Sequence, residues 1–445
     1  MWWLCAAVVF ASFGVWRRQV FVLPCVAIAG ALFGMCYGSV VLGGLEVYKP
    51  LFGVQVELTG TIKEDPSTSA KGLLVLQLDH VKYESKDMPG FVWVSIIGHP
   101  GVKRGDVVTV SGKATAGFGT LALTMYTAKV ISVVHPHPGD IGRVVRDWFA
   151  DAIRKGIPEP EASLGIGYLT GQKSALPPDL AAALQIAGLS HVVVASGYNL
   201  TILVRLSRRA FIKVSKFLSV FASGVMIAGF VAMTGLSPSM TRAALVSSLS
   251  LLTWYYGRQF HPFVLLPFAA AVTVLFQPSY AWGDIGWQLS FAAFAAVMIV
   301  GPLFQVYFFG EKEPGLVRQV LGETVAAHAV TIPIVVPAFG YLSNVAIPAN
   351  ILIVPLVPIA MLLTFIVGLT ALAFPAIVHV VGIPAGWLLH YMTFTSQYLA
   401  GLPWAKTNIT TQWWGVLAYT LLLVGLCIYM QRKTHFSLRG VNIVE

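Results

Sequence analysis

The sequence predicts a polytopic α-helical membrane protein that carries one small all-β domain. Hydrophobic residues make up 56% of the 445 positions and charged residues only 11%. A water-soluble chain carries roughly 25% charged residues, so too few polar side chains remain here to cover a globule. Apolar runs of roughly 20 residues recur, which is the length that crosses a bilayer core. The mean hydropathy is +0.76, and we expect most of the surface to face lipid.

The apolar runs predict eleven transmembrane helices. Residues 1–16 lack a basic leading segment and are followed by Arg17 and Arg18, so we expect a first span rather than a cleavable signal peptide. Pro348, Pro355 and Pro358 indicate that one later span is broken or partly re-entrant. The predicted spans are residues 1–16, 19–45, 189–206, 217–234, 240–257, 262–277, 286–306, 319–339, 345–373, 376–400 and 413–430.

Basic residues predict the orientation of these helices. With the N-terminus outside, the short outer connections hold two basic residues, Arg242 and Lys406, and the cytoplasmic connections hold thirteen. Positive charge concentrates in cytoplasmic loops, so we expect the β domain outside and the tail at 431–445 inside. The thirteen are Arg17, Arg18, Arg205, Arg208, Arg209, Lys213, Lys216, Arg258, Lys312, Arg318, Arg432, Lys433 and Arg439.

Residues 46–140, which follow the two N-terminal helices at 1–45, predict the all-β domain. Five segments, near residues 54–62, 73–78, 91–97, 107–110 and 121–125, are rich in β-forming residues and are separated by turn formers. Five short strands favour a small barrel, with an OB-fold as the leading candidate. Nine Lys and Arg balance nine Asp and Glu in this domain, so the net charge of +10 lies in the membrane portion. That charge alone is no evidence for a polyanionic ligand.

Residues 141–188 predict interfacial or re-entrant helices that precede the channel domain at 189–430. Along 141–155, apolar residues recur at the spacing of one helix face. A helix lying in the membrane interface and a helix docked on the bundle fit this pattern about equally. The face comprises Ile141, Val144, Val145, Trp148, Phe149, Ala152 and Ile153.

Motifs for catalysis are weak, and we expect no enzyme, cofactor or metal site. The glycine-rich string at 167–174 resembles a phosphate loop, but Gln172 interrupts the Gly-Lys-Ser that a nucleotide cradle requires. A nuclease could use His135, His137 and Asp140, although the neighbouring prolines favour a linker. The four cysteines lie in apolar spans and form no Cys-x-x-Cys.

Polar residues inside apolar sequence are the better candidates for function, because such groups usually face a polar interior. Each one alone could equally form an interhelical hydrogen bond. As a set they predict a hydrated path through the bundle. Asp284 and Gln288 are spaced to share a helix face, and Arg242 and Asp284 could instead pair with each other. The other members are His191, Ser196, Gly197, Asn199, Thr201, His328, Asn344 and Asn350.

Five polar or glycine-containing motifs occur in order along the chain. They are residues 169–176 (Leu-Thr-Gly-Gln-Lys-Ser-Ala-Leu), 186–200 (Ile-Ala-Gly-Leu-Ser-His-Val-Val-Val-Ala-Ser-Gly-Tyr-Asn-Leu), 234–243 (Thr-Gly-Leu-Ser-Pro-Ser-Met-Thr-Arg-Ala), 284–291 (Asp-Ile-Gly-Trp-Gln-Leu-Ser-Phe) and 350–356 (Asn-Ile-Leu-Ile-Val-Pro-Leu). In this order they resemble the motifs of the ComEC-type competence channel family. The two N-terminal spans and the barrel also resemble the family's N-terminal module.

The resemblance implies transport of one DNA strand across the cytoplasmic membrane during natural transformation, with an external OB-like domain that receives DNA. It also implies a DNA receptor outside the cell and, inside, an ATPase or helicase and single-strand-binding proteins. The family's functional positions fall on His191, Ser196, Gly197, Asn199, Arg242, Asp284, Gln288 and Asn350, as candidates for lining the DNA path. The aromatic residues beside them, Tyr198, Trp282 and Trp287, are candidates for stacking on bases.

Two departures from the family pattern matter. Many members have Leu-His after the Ser-Gly of the second motif, whereas this chain has Tyr198 and Asn199, so a histidine cannot act there. Many also end in a metallo-β-lactamase-like domain. This chain stops shortly after the last predicted span, so degradation of the second strand is expected to need a separate nuclease. The rival interpretations are a transporter for another polar or polyanionic solute and a purely structural membrane scaffold.

Overall fold

The computed structural model describes residues 22–435, except 69–72, 99–100, 120, 138, 173–175, 194–196, 258–261, 311–314 and 411. The chain forms two compact units. One comprises Met1–His137 and Val272–Asp284, and the other comprises Pro138–Ala271 and Ile285–Glu445. The predicted first span at 1–16 lies outside the described residues.

The first unit contains helix α1 (Val22–Gly44), a 3-10 turn (Leu45–Leu51) and a seven-stranded sheet. Its strands are β1 (Gln55–Ile62), β2 (Ser67–Thr68), β3 (Leu74–Tyr83), β4 (Lys86–Met88), β5 (Phe91–Ile96), β6 (Val107–Ala116) and β7 (Leu121–Val134). All five predicted strands are present. β2 and β4 are short additions that pair with β3.

The five long strands close into a barrel. Their order is β1-β6-β7-β5-β3, and β1 pairs with β3 as well as with β6, so no long strand keeps an open edge. The β5–β7 pair is parallel and the other pairs are antiparallel. Burial alternates along β1, where Val56, Leu58 and Ile62 face inward. Alternating inward residues from all five strands fill the barrel core, as expected for a small barrel.

The second unit is helical. Its first helices are α2 (Ile141–Arg154), α3 (Glu161–Thr170), α4 (Pro178–Ile186), α5 (Ser190–Val193), α6 (Gly197–Phe211), α7 (Lys216–Thr234), α8 (Pro238–Tyr255) and α9 (Pro262–Phe276). The last residues of α9 and the whole of the next helix, α10 (Tyr280–Gly283), belong to the first unit. The second unit continues with α11 (Ile285–Ala295), α12 (Gly301–Phe309), α13 (Leu316–Phe339), α14 (Ala346–Ile353), α15 (Val357–Ala373), α16 (Val378–Ala400) and α17 (Trp413–Thr434). A π-helical segment (Ala296–Val300) joins α11 to α12. Two short strands, β8 (Tyr341–Ser343) and β9 (Lys406–Asn408), form a small antiparallel sheet.

Seven helices within the described residues are long and apolar enough to cross a membrane. They are Gly30–Leu51, Lys216–Thr234, Ile285–Phe309, Val317–Phe339, Ala346–Ala373, Pro375–Ala400 and Trp413–Thr434. The break predicted in the 345–373 span is present as a 3-10 turn at Val354–Leu356. These helices and the apolar composition identify a membrane protein.

The predicted number of eleven spans is not confirmed. In the segment 189–206 the structure describes α5 and α6, while residues 194–196 between them lie outside the described part, and α6 carries Arg205 and two further arginines near its end. The segment 262–277 forms α9, which has only 15 residues. α8 has 18 residues, but Arg242 and its serines make it less apolar than the seven. The fourth segment is 1–16, outside the described residues.

Helix α2 docks onto the helical unit through its second half. Ala150, Ala152 and Ile153 are buried, and the helix packs on α7 and α15. The first half leaves an apolar stripe exposed, consisting of Ile141, Val144, Val145 and Trp148. Sequence reasoning passed over Arg146, which is only 2% exposed and donates to the Asp147 carboxylate over 2.9 and 3.1 Å.

Candidate functional site

Asn199 ties helix α6 to its neighbours. Its side chain is fully buried, and Nδ2 donates to the carbonyl oxygens of Tyr168 in α3 and Val192 in α5, each over 3.0 Å. We therefore interpret Asn199 as a residue that positions α6. His191 lies on α5 with an exposed side chain, and Ser196 lies outside the described residues.

Gly197 opens α6 and lets it approach α8 closely. A Cβ at this position would lie 3.1 Å from Arg242 Nη2 and 3.2 Å from Ala243 Cβ, which is tighter than ordinary packing. α8 itself starts at a defined place, because Ser237 Oγ accepts from the Met240 amide and Pro238 occupies the first turn. The sequence thus brings Gly197 and Arg242, two predicted site residues, into direct contact.

The Arg242 guanidinium lies over two aromatic rings. Its Cζ is 4.9 Å from the centroid of Phe294 and 5.8 Å from that of Phe291, both on α11. Nε is buried, and no described residue hydrogen-bonds to it. Among the described residues of its own unit, no carboxylate forms an ion pair with Arg242. Ring faces attract a cation by roughly 0.5–2 kcal/mol, which orients the guanidinium without neutralising it.

Tyr198 and Glu323 extend this site along α6 and α13. The Tyr198 side chain is 41% exposed, and the charges of Glu323 and Arg205 are both close enough to act on its hydroxyl. Glu323 Oε1 accepts from Gln319 Nε2 over 2.9 Å. Sequence reasoning missed Glu323. The available signal was a carboxylate inside the apolar helix Val317–Phe339, because such groups are rare there.

The helices around Arg242 pack loosely. All residues 244–250 of α8 and 327–335 of α13 are partly exposed, with no buried stripe along either stretch. We name α6, α8, α11 and α13 the open side of the helical unit. We name α3, α15 and α16 the packed side, because every residue of α3 is buried and α15 buries positions at helical spacing, from Val357 to Ala371.

Three further predicted residues of the helical unit lie on α11 and α14. Gln288 and Trp287 are on α11, where the Trp287 ring is 4.5 Å from the Phe291 ring. Asn350 is buried in α14, and its amide donates to the Ala346 carbonyl one turn earlier over 2.7 Å. Tyr198 is on α6, as described above. The side chain of Trp282, in α10, lies outside the described part.

Asp284 belongs to the barrel unit. It follows α10 in an extended conformation (φ −112°, ψ 105°), and α11 begins one residue later. The prediction that Asp284 and Gln288 share a helix face is therefore wrong, since Asp284 precedes the helix. Arg242 lies in the other unit, and its pairing with Asp284 stays a prediction.

Asp284 takes part in a charged cluster with the barrel. Burial lowers the pKa of Lys63, and three carboxylates act against that shift, those of Glu64, Asp79 and Asp284. Burial raises the pKa of Tyr280 to about 12, and the same three carboxylates add to the rise. The Lys63 Nζ also lies 3.4 Å from the centroid of the Phe91 ring. The barrel unit therefore holds the segment that carries Asp284 by charge as well as by packing.

Two residues of the nuclease hypothesis, His135 and Asp140, have structural partners. His135 Nδ1 lies 3.0 Å from Asp106 Oδ2, and Asp140 Oδ1 accepts from the Arg143 amide at the start of α2. No three His, Cys, Asp or Glu side chains within the described part of the chain are grouped so that they could hold a metal ion.

A bundle of apolar helices with a partly buried cation on aromatic rings, joined in one chain to a closed barrel, defines a membrane protein with a polar site in its helical part. The chain belongs to the Competence protein family. The model of that family matches residues 168–433, well over half of the chain and including every predicted site residue. The barrel lies outside the matched residues. No curated protein and no solved structure matches the chain.

Proposed function

We propose that this protein transports single-stranded DNA across the cytoplasmic membrane during natural transformation. Membership of the competence family supports a role in DNA uptake. The observation that carries the proposal is the Arg242 guanidinium, held over Phe291 and Phe294 on the open side, where no carboxylate among the described residues of its unit forms an ion pair with it. A site of this kind attracts an anion that also presents flat rings.

The physical demands of strand transport agree with this site. Each nucleotide carries about one negative charge, which cannot cross hydrocarbon bare. A path must therefore offer cations for phosphates and flat surfaces for bases, each binding weakly enough that the strand does not stall. Arg242 meets the first demand, and Tyr198 and Trp287 are candidates for the second. The partial exposure of α8 and α13 supports a gap through which a strand could pass.

The barrel is proposed to be OB-like and to receive DNA outside the cell. Counting only its long strands, the order around the barrel is 1-2-3-5-4, closing on strand 1, with strands 3 and 5 parallel, which supports an OB-type topology. The distribution of Lys and Arg supports a multi-pass arrangement with this unit outside and the C-terminus inside.

The protein is proposed to act as a passage and not as an enzyme. A cytoplasmic ATPase or helicase, or single-strand-binding proteins that coat the emerging strand, would supply the driving force. A DNA receptor would deliver the strand, and a separate nuclease would degrade its complement. The supporting observation is that the sequence offers no nucleotide-binding or catalytic motif.

The Arg242→Gln variant tests the proposal. Removal of a charged hydrogen-bond donor costs about 1.5–3 kcal/mol, so we expect transformation at equal protein level to fall about tenfold or more. Arg318→Gln is the matched control, because its guanidinium also lies over a phenylalanine, 5.7 Å from Phe309, but at the exposed start of α13. Undiminished transformation by Arg242→Gln would refute the assignment.

A further inference from the structure

The outer face of the barrel carries an aromatic pair that the core does not use. Trp93 on β5 and Tyr126 on β7 have ring centroids 5.3 Å apart and planes tilted by 60°. Tyr126 is 54% exposed and Trp93 partly exposed. Neither ring belongs to the hydrophobic core of the barrel. A solvated strand face usually carries polar side chains, so two adjacent large rings there need an explanation.

A β-bulge in β7 turns Tyr126 outward. Along the β5–β7 pair, Val94 matches Met125, but Ile96 matches Ala128, so β7 has one residue more than β5. The register between β6 and β7 shifts at the same place. The extra stretch is held by the Thr127 amide, which donates to Ser95 Oγ over 3.0 Å, and Thr127 adopts a positive φ of 53°. Bulges commonly re-aim a side chain at a functional place.

The surroundings of the pair favour a flat ligand. Gln77 lies directly opposite Trp93 on β3 and presents an amide on the same face. The Lys63 ammonium covers the Phe91 ring, two residues before Trp93 on β5, and the carboxylates of the charged cluster act on it. Stacking is the interaction that the two rings themselves can offer.

We propose that Trp93 and Tyr126 form a stacking site for unpaired nucleobases, with Tyr126 aimed by the bulge at Thr127. This inference rests on the proposed function and specifies how a barrel with balanced charge could bind DNA. Stacking on aromatic rings is tolerant of sequence, since every base has a π face. Duplex DNA keeps its bases stacked on each other, so the site selects single strands.

The test compares two oligonucleotides on the full-length protein in lipid nanodiscs. One is a fluorescent oligothymidylate of about ten nucleotides, and the other is an abasic strand of equal length with the same phosphates. We expect the wild type to bind the thymidine strand about tenfold or more tightly than the abasic strand. Salt should leave the ratio of the two affinities nearly unchanged, because both strands carry equal charge.

The variant W93L/Y126L removes both rings and keeps apolar side chains, and we expect it to bind the two strands equally. W93F/Y126F is the matched control, which keeps rings and should keep most of the preference. Equal elution and melting of both variants would show that the barrel stays folded. Retention of the preference by W93L/Y126L, or equal binding of both strands by the wild type, would overturn the stacking site.

The outcome is separable from that of the proposed function. If the wild type restores transformation to a deletion strain but binds both oligonucleotides equally, the stacking site is wrong and transport stands. If the wild type prefers the thymidine strand but fails to restore DNA uptake, the proposed transport is wrong and the stacking site stands.

Discussion

The packed side and the open side of the helical unit use glycine and polar residues in opposite ways. On the packed side, Gly382 of α16 lies against the backbone of Gly156, and small residues let helices touch. On the open side, Gly197 leaves room for a charged side chain, that of Arg242. The difference indicates that one side provides a rigid support and the other a site that a ligand can enter.

The largest effect is expected from Gly382→Ala on the packed side. Its new methyl group would overlap the Gly156 carbonyl oxygen, a backbone atom that cannot rotate away. We expect a loss of about 3 kcal/mol or more in the free energy of unfolding, measured by thermal or SDS unfolding in detergent. Gly386→Ala on the same helix is the control, because nothing lies within 4 Å of its Cβ position. Equal stability of the two variants would contradict the packing contrast.

Thiol labelling tests the openness of α8 directly. In a variant without the four native cysteines, a cysteine at Ser247, Ser248 or Ser250 should react with a water-soluble maleimide. A cysteine at Ser396 of α16, which is 0% exposed, should react on the order of a hundredfold more slowly. The reason is that a buried thiol reacts only when the helices around it open locally, and a local opening that costs roughly 3 kcal/mol slows the reaction by about this factor. If none of the three α8 positions reacts faster, the open side is closed to water.

Gly197→Ala separates function from stability. The methyl group would press on Arg242 Nη2, the end of a flexible side chain that can move, and would lie 3.2 Å from Ala243 Cβ. We expect transformation to fall several-fold while the free energy of unfolding changes by no more than about 1 kcal/mol, since the helix preference of alanine over glycine offsets the tight contact with Ala243. Gly224→Ala in α7 is the control, with nothing within 4 Å of its Cβ. A drop in stability with normal uptake would assign Gly197 to packing alone.

The barrel could be predicted from the sequence, and the number of spans could not. Alternating β-branched residues report a half-buried strand residue by residue, so all five long strands were found. Hydropathy over a window reports apolar content and not where a helix begins or ends, and seven helices within the described residues are long and apolar enough to cross a membrane. The positions of the helices also depend on contacts between distant segments, such as the Asn199 amide on the Tyr168 carbonyl.

The candidate site was predicted in part. The motifs identified Gly197 and Arg242 as candidates, and the structure brings them together. Sequence placed Asp284 on a helix with Gln288, but the chain turns at Asp284 and the residue joins the barrel unit. Glu323 and Arg146 were missed, because a single charge within a helical segment is normally a solvated residue. Only the packing of neighbouring helices shows that Arg146 is buried and that Glu323 is partly buried.

Asn199→Ala tests whether the open side is anchored on the packed side. Loss of the amide leaves the Tyr168 and Val192 carbonyls unpaired, which costs about 1–3 kcal/mol in the free energy of unfolding. Asn350→Ala is the control: its amide is equally buried but donates only within its own helix, so we expect a cost nearer 1 kcal/mol. Because Asn199 joins α6 to α3, its loss should also increase maleimide reactivity along α8, and Asn350→Ala should not. An Asn199 variant as stable as the Asn350 variant would mean that the open side stands without this anchor.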